Sequence, residues 1–450
     1  MTPLAKISLP TGSKGTQGLP HTKQKLINCF FAGDKIIQRP GITELNTNTR
    51  VARGGFEWNG ALYEVASTDL LKIDTSDGTY TVVGTIDGSA QIDIAIGFNH
   101  VVIVVKGGKG YTLDKSDTLT EITNINYVAS NAVTHMNGRF VYIPSSGDPA
   151  FFSDIGDGSS IQAGSFFDAE ELPDKNIFCI NLRNILLIGG TDSFEQFRDL
   201  GQSSVPFRRL NARIDYGYIS AGIEYMNTLC FIGREKNQNL GIYTFGQGQA
   251  EKISNEYIDT ILDTYTQAEL EMCIPNRLKW RGYDLMTFTL ARHSFGYYGG
   301  NWFDLDTYEN GEPDIWQAGY IVEFETDYYT FYADKIGRFA AVNRDYGTPF
   351  RRLINIGFET DGNFTAQSLQ YNISQGYNTA DGSVFLEMSD DNILFGPAFA
   401  AATADQGRYS DKLVWDFPGG LGFYDTYAAF NLWTAEDIDF SGTSIDIDMR

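Results

Sequence analysis

The chain has 450 residues, 42% of them hydrophobic and 14% aromatic, which is material for a large core or for a long repeat domain with an appendage. Its 34 Lys and Arg stand against 57 Asp and Glu, a formal net charge of −23. That argues against a surface built to grip nucleic acid through clustered cations, but not against a channel whose acidic wall repels a passing phosphate backbone. The opening MTPLAKISLP lacks the apolar run of a signal peptide, and no later stretch approaches the roughly 18 apolar residues of a membrane helix, so the expectation is a soluble product without a cleaved leader and with no membrane contact.

Residues 1–49 contain Gly, Pro and Lys with no clear period and read as an extended N-terminal arm, crossing the main domain or reaching a neighbour. From residue 50 a pattern recurs. GGFEWNGALYEV turns at Asn59, IAIGFNHVVIVV at Asn99, THMNGRFVYI at Asn137, CINLRNILLIGG at Asn184 and IEYMNTLCFIG at Asn227. Two weaker members follow, LKWRGYDLMTFTL at Gly282 and VEFETDYYTFYA at Asp327. Each is a pair of strand-forming runs joined by a residue that tolerates positive φ. The turns are separated by 40, 38, 47, 43, 55 and 45 residues.

A second hairpin with an Asp- or Gly-rich tip follows in most units, as in LLKIDTSDGTYTVVG and YTLDKSDTLTEIT. Four strands at a period of about 40 to 50 residues predict the blades of a β-propeller. The fold class expected is all-β, with about seven four-stranded blades over 50–350. Six or eight blades, or an irregular β-sandwich, remain open alternatives.

The 55-residue step holds a helical insertion near 254–272, SNEYIDTILDTYTQAELEM. Ser254 or Asn255 caps it, Tyr257, Ile258, Ile261, Leu262 and Tyr265 recur at helical spacing, and Thr266 with Glu269 forms a capping-box pattern opening a second short helix. After Arg351-Arg352 the rhythm stops. Alternating strands such as SLQYNIS, DKLVWDF and SIDIDM predict a C-terminal β-sandwich-like domain over 351–450, with Ile445, Ile447 and Met449 on one face of the last strand and Asp446 and Asp448 on the other.

No residue set announces catalysis, a cofactor or a metal. The four histidines (His21, His100, His135, His293) match no HExxH pattern, and no GxSxG appears. Cys29, Cys179, Cys230 and Cys273 are far apart without a CxxC pair, and read as buried free thiols. KGGKGYT at 106–112 lacks the Gly-Lys-Ser/Thr ending of a phosphate loop and reads as a hairpin tip. Asp74 and Asp77, and Asp154 and Asp157 beside Gly158, lack calcium-loop spacing and read as aspartates closing their own turns.

In this arrangement the sequence resembles a family, the tail hub (packaged-DNA stabilisation, or nozzle) proteins of short-tailed bacteriophages. The resemblance is carried by LCFIGREKNQNLGIYTFGQGQAEKISNEYIDTILDTYTQAELEM and the following RLKWRGYDLMTFTLARHSFGYY with its Arg292-His293, by Asn28 with Arg39-Pro40-Gly41-Ile42, and by YSDKLVW at 409–415. It runs in order from about residue 28 to the C-terminus. One departure is the acidic set Asp425, Glu436, Asp437 and Asp439, where the family's last strands can carry basic residues.

The resemblance implies a non-enzymatic structural protein of the virion tail, assembled in the host cytoplasm. It implies a homo-hexameric ring below the portal and head-to-tail adaptor, retaining packaged DNA and anchoring tailspikes or fibres and the needle, with duplex DNA passing through the lumen without tight binding. Two alternatives stand beside it: a receptor-binding propeller whose Trp302 and Trp316 stack on sugar, and a glycan-degrading propeller with axial carboxylates.

Overall fold

The computed structural model describes residues 5–449, apart from 17–18, 169–173, 203–205, 211–213, 236–239, 247–248, 310, 374–381, 404–407, 409–410, 437–439 and 442–443. Tyr409 and Ser410 of the YSDKLVW stretch, Asp437, Asp439 and the side chain of His21 lie outside the described residues.

Seven antiparallel four-stranded units follow one another. Blades 1 to 5 begin at inner strands Ala52–Trp58, Ile92–Ile96, Ser130–Met136, Asn176–Leu182 and Tyr216–Tyr225, and each adds its next three strands outward in chain order. Blade 6 begins at Ile274–Trp280 and ends at Asn301–Asp304; blade 7 begins at Tyr320–Phe324. Each inner strand touches the next in turn, and that of blade 7 touches that of blade 1, so the ring is closed. The fold is an all-β propeller.

The turn residues explain the register. Asn59 and Gly60 (φ 50° and 73°), Asn137 and Gly138 (49° and 84°), Arg183 and Asn184 (53° and 61°), Met226 and Asn227 (49° and 62°), and Arg281 and Gly282 (48° and 86°) all occupy the left-handed region that two-residue hairpins require. At the last unit Glu325 (φ 56°) takes this place, and Asp327 opens the following strand.

Burial on both faces explains the apolar runs. His100–Val105 is buried from Val101 onward because its two sides face different blades: Val101, Ile103 and Val105 pack with Phe56, Tyr63 and Val65 of blade 1, while Val102 and Val104 pack with Val133, Phe140 and Tyr142 of blade 3.

The N-terminal segment corrects the sequence reading. Residues 1–49 read in sequence as an extended arm crossing the main domain or reaching a neighbour; in the structure, described strands from this stretch are hydrogen-bonded into four sheets. Gly41–Thr47 pairs antiparallel with Lys335–Ala340 and supplies the fourth strand of blade 7, beyond which Arg344–Asp345 and Thr348–Pro349 extend the sheet. Leu19–Ile27 pairs with Arg352–Glu359, and Ala5–Ser8 pairs with Ser444–Met449. Cys29–Ala32 and Lys35–Gln38 form a hairpin extended by Phe440–Ser441. Blade 7 has only three strands of its own, and without the fourth its outer edge would present unpaired backbone groups.

The last hundred residues build two layers, one of them continuous with the blade 6 sheet through a parallel pairing of Ile27 with Asp304. One runs from Leu19–Ile27 through Arg352–Glu359, Tyr427–Thr434, Ser383–Ser389 and Phe399–Ala402. The other contains Ala5–Ser8, Ser444–Met449, Phe364–Tyr371 and Leu413–Tyr424. Ile7, Leu26, Ile354, Leu369, Trp415, Phe430, Ile445 and Ile447 fill the space between them. That same core continues into Leu278, Leu285, Trp316 and Phe339 at the seam of blades 6 and 7, so ring and sandwich are packed as one unit.

The helical insertion lies between blades 5 and 6 as α1 (Glu256–Leu262) and α2 (Gln267–Glu271). Asn255 caps α1 by accepting from the Ile258 N–H, and Thr266 with Glu269 forms the full capping box of α2. The apolar stripe Tyr257, Ile258, Leu262 and Tyr265 packs on Met286, Phe288, Phe295 and Trp302 of blade 6.

Candidate functional site

The most elaborate constellation sits where the closing strand begins. Arg39 is 1% exposed, and its guanidinium donates to both carboxylate oxygens of Asp345 at 3.0 and 2.6 Å. Its remaining donors reach the Asn28 side-chain oxygen (2.7 Å), the Pro40 carbonyl (2.8 Å) and the Asp306 carbonyl (2.8 Å). Phe350 stacks at 3.8 Å from the guanidinium carbon to the ring centre, with the Trp316 ring 5.4 Å away. All five donors of a buried guanidinium are therefore used, which is what makes its burial tolerable.

Asn28 completes the node. Its side chain accepts from the Asp306 N–H and donates to the Arg351 carbonyl, and Asp345 also accepts from Thr307. The node thus ties the N-terminal segment to the blade 6–7 connection, to the end of blade 7 and to the first residue of the sandwich. The residues that carried the N-terminal resemblance are an internal latch.

A second buried group lies at the closing seam. Glu64 of blade 1 is fully buried beside Leu62 and Ala66, which pack on Val322, Tyr329 and Phe331 of blade 7. Asn48, just past the closing strand, donates to one oxygen at 3.3 Å, and the other has no partner. Burial pushes the Glu64 carboxyl up to about 8, against the smaller opposing pull of Asn48 and Arg50.

The axis of the ring holds a cavity of about 630 Å³ lined by Asp93, Lys106, Lys175, Phe178, Tyr218 and Tyr320, with Glu271 and Met272 of the helical insertion at its margin. Asp93 accepts from the Val133 and Ile94 N–H groups, and burial raises its carboxyl to about 6. Lys106 donates to Gln91 and is held below the usual lysine range by desolvation. This volume is far too small for a duplex whose major groove alone is about 12 Å wide. No duplex threads a single propeller.

Trp302 and Trp316 are 2% and 1% exposed, the former donating its indole N–H to the Ile253 carbonyl, so neither can stack on a sugar as the receptor-binding alternative required. Cys29, Cys179, Cys230 and Cys273 are buried free thiols, and burial raises each of them, Cys29 to about 12. Asp74, Asp77 and Asp157 each accept from the N–H and hydroxyl of the residue two positions on, the turn-closing geometry expected of them. Asp154 is held by Ser160 and Gln162. Lys109 of KGGKGYT bridges Asp87 and Glu121.

His100 accepts the Gly158 N–H on Nε2, and His293 meets the Tyr265 hydroxyl at 2.8 Å; burial lowers both imidazoles. Arg292 donates to Glu269 and to the Thr264 carbonyl and lies over the Tyr265 ring, so the Arg292-His293 pair anchors the helical insertion to blade 6. The resemblance marked Asn28 and Arg39 without their partners Asp345 and Asp306, which lie hundreds of residues away, and Glu64 carried no sequence signature because its surroundings come from another blade.

Known proteins fit this architecture. The profile of a family described as Bacteriophage P22 Gp10, beta-propeller, matches residues 32–328, from before the closing strand to the inner hairpin of blade 7. The tail hub protein gp10 of Salmonella phage P22 is 24% identical over 291 residues, which are 60% of this chain and 59% of that relative's length. Among solved structures, the extracellular domain of a putative one component system from B. thetaiotaomicron superposes with a TM-score of 0.47 at 9% identity, over 84% of this chain and 48% of that one. BamB from Moraxella catarrhalis does so at 0.40 and 10%, over 75% and 96%. With the profile covering about two thirds of its length, and blades 1 to 6 within the match, the chain belongs to the phage tail-hub family of P22 Gp10-type β-propellers.

Proposed function

We propose that this protein forms the hub of a short phage tail: a homo-hexameric ring below the head-to-tail adaptor and portal that extends the DNA channel, retains packaged DNA, and anchors tailspikes or fibres and the needle. The observation that carries the reading is the family match over residues 32–328, which takes in the first six blades and the start of the seventh. Family membership supports a phage tail structural protein. The ring size, the named partners, DNA retention and assembly in the host cytoplasm belong to the proposal.

The architecture is suited to such a role. A closed ring continuous with a sandwich presents hairpin tips and sheet edges to several neighbours at once without needing any of them to fold. The axial cavity being too small for a duplex, the channel in this reading is the space enclosed by the copies. The role is non-enzymatic, its residues serving to hold shape. The test is to mix purified full-length protein with the adaptor–portal assembly and follow light scattering, alongside an assay of host polysaccharide turnover. The proposal expects ring formation on the assembly and no turnover; turnover with no assembly would sink it in favour of a glycan-degrading propeller.

A further inference from the structure

On the rim of blade 4, strands Phe194–Asp199 and Phe207–Arg209 pair so that Arg198 and Arg208 stand directly opposite one another. Both are exposed, and among the described residues neither has a carboxylate within ion-pair reach. It is the only register pair of two cations among the described strands. Cross-strand neighbours lie about 5 Å apart at Cβ, and like charges placed so cost stability.

Several arginines elsewhere on the blades are paired with an acid. Arg50 pairs with Asp69, Arg277 with Asp284, and Arg292 with Glu269. Arg209, beside the pair, is joined to Glu195 at 2.8 Å. In a chain with 57 acidic residues, a cation pair left without an acid is an unspent recognition element.

We propose that this edge of blade 4 is where the protein touches the phosphodiester backbone of duplex DNA, Arg198 and Arg208 side by side engaging phosphates. Two adjacent guanidinium forks suit an anion that repeats its charge, and a duplex presents one charge per about 1.7 Å of axis. The acidic hairpin tips of a second copy suit the pair less well, because Asp74, Asp77, Asp114 and Asp157 already commit side-chain oxygens to their own turns. The inference rests on the hub reading, in which a duplex runs beside each copy, and it limits the contact to two arginines on an otherwise acidic protein. Such a contact guides DNA without holding it.

The test is fluorescence anisotropy of a short labelled duplex titrated with the full-length protein at two salt concentrations. Two phosphate contacts give a slope of about −1.8 in log affinity against log salt, so binding should weaken about twelvefold between about 50 and 200 mM salt. The Arg198→Ala/Arg208→Ala double variant should lose both the binding and the slope, while Arg277→Ala, whose arginine is paired with Asp284, should keep them. Arg208→Ala alone should unfold at a higher denaturant concentration, a gain that requires the pair to repel.

No binding at the lower salt overturns the proposal, as does an unchanged slope in the double variant. Arginine-dependent self-association without DNA overturns it too, assigning the edge to a second copy. Tail density placing the protein around the channel while the duplex goes unbound would leave the hub reading standing and remove this contact alone.

Discussion

Arg39 and Asp345, 306 positions apart in sequence, meet through two parallel hydrogen bonds with both side chains essentially excluded from water. The pair closes the chain on itself: one partner lies two residues before the strand that completes blade 7, and the other follows the blade it completes. Removing one charge from such a pair leaves the other buried and uncompensated, at a cost of about 3–5 kcal/mol. Asp345→Ala should therefore unfold at markedly lower urea than the parent. The double change Arg39→Met/Asp345→Leu should recover much of the loss, since neither charge is then stranded. A single variant as stable as the parent would show that the latch does not hold the ring.

The closing strand makes the N-terminus part of the core. Deleting residues 1–49 strips the outer strand from blade 7 and two strands from the sandwich sheets. The expected result is loss of the folded far-ultraviolet circular dichroism signal and aggregation, rather than a folded protein that merely assembles poorly. A soluble, strand-rich deletion variant would contradict this.

Glu64 should make stability depend on pH. Its carboxyl is raised from an ordinary 4.5 to about 8 by burial, so the folded state keeps a proton that the unfolded chain releases. The sign follows: this stabilisation is complete below about 4.5, falls as pH rises between the two values, and is gone above about 8. Urea midpoints measured across that window should decline for the parent, with a contribution of up to about 1.4 kcal/mol per pH unit. In Glu64→Gln that contribution should vanish, because the amide keeps the shape and cannot ionise. Equal slopes in the two proteins would place the pH dependence elsewhere.

Asn137 holds φ at 49°, and its side chain donates to Asp199 of the next blade at 2.9 Å. Asn137→Val should lower stability by about 1 kcal/mol or more, because a β-branched residue resists positive φ. Asn137→Gly should retain most of the stability, losing only the bond to Asp199. A valine variant no less stable than the glycine one would mean the turn has relaxed to another form.

The blades were legible because their information is local. Asn137-Gly138 sets a turn whatever the rest of the chain does, and Val101 to Val105 is apolar throughout because blades cover it on both sides. The capping residues Asn255, Thr266 and Glu269 were legible for the same reason. Gly41–Thr47 was not: it is seven residues long, and the strand that orients it lies about 290 residues downstream. Asn28 and Arg39 could be singled out by resemblance to the family, but whether they faced a partner or the protein's own interior depended on Asp345 and Asp306, which no spacing rule connects to them. Trp302 and Trp316 show the converse: aromatic residues suited to sugar stacking are buried, and sequence carried no sign of which side of the surface they occupy.

The most direct test of the hub assignment is a density map of the intact virion tail into which this structure is fitted. The account predicts copies of the propeller and sandwich arranged as a ring around the channel axis, below the adaptor, with the duplex path in the space between copies and none through a propeller's own axis. Density placing the protein outside the channel, as a peripheral spike or fibre, would contradict it.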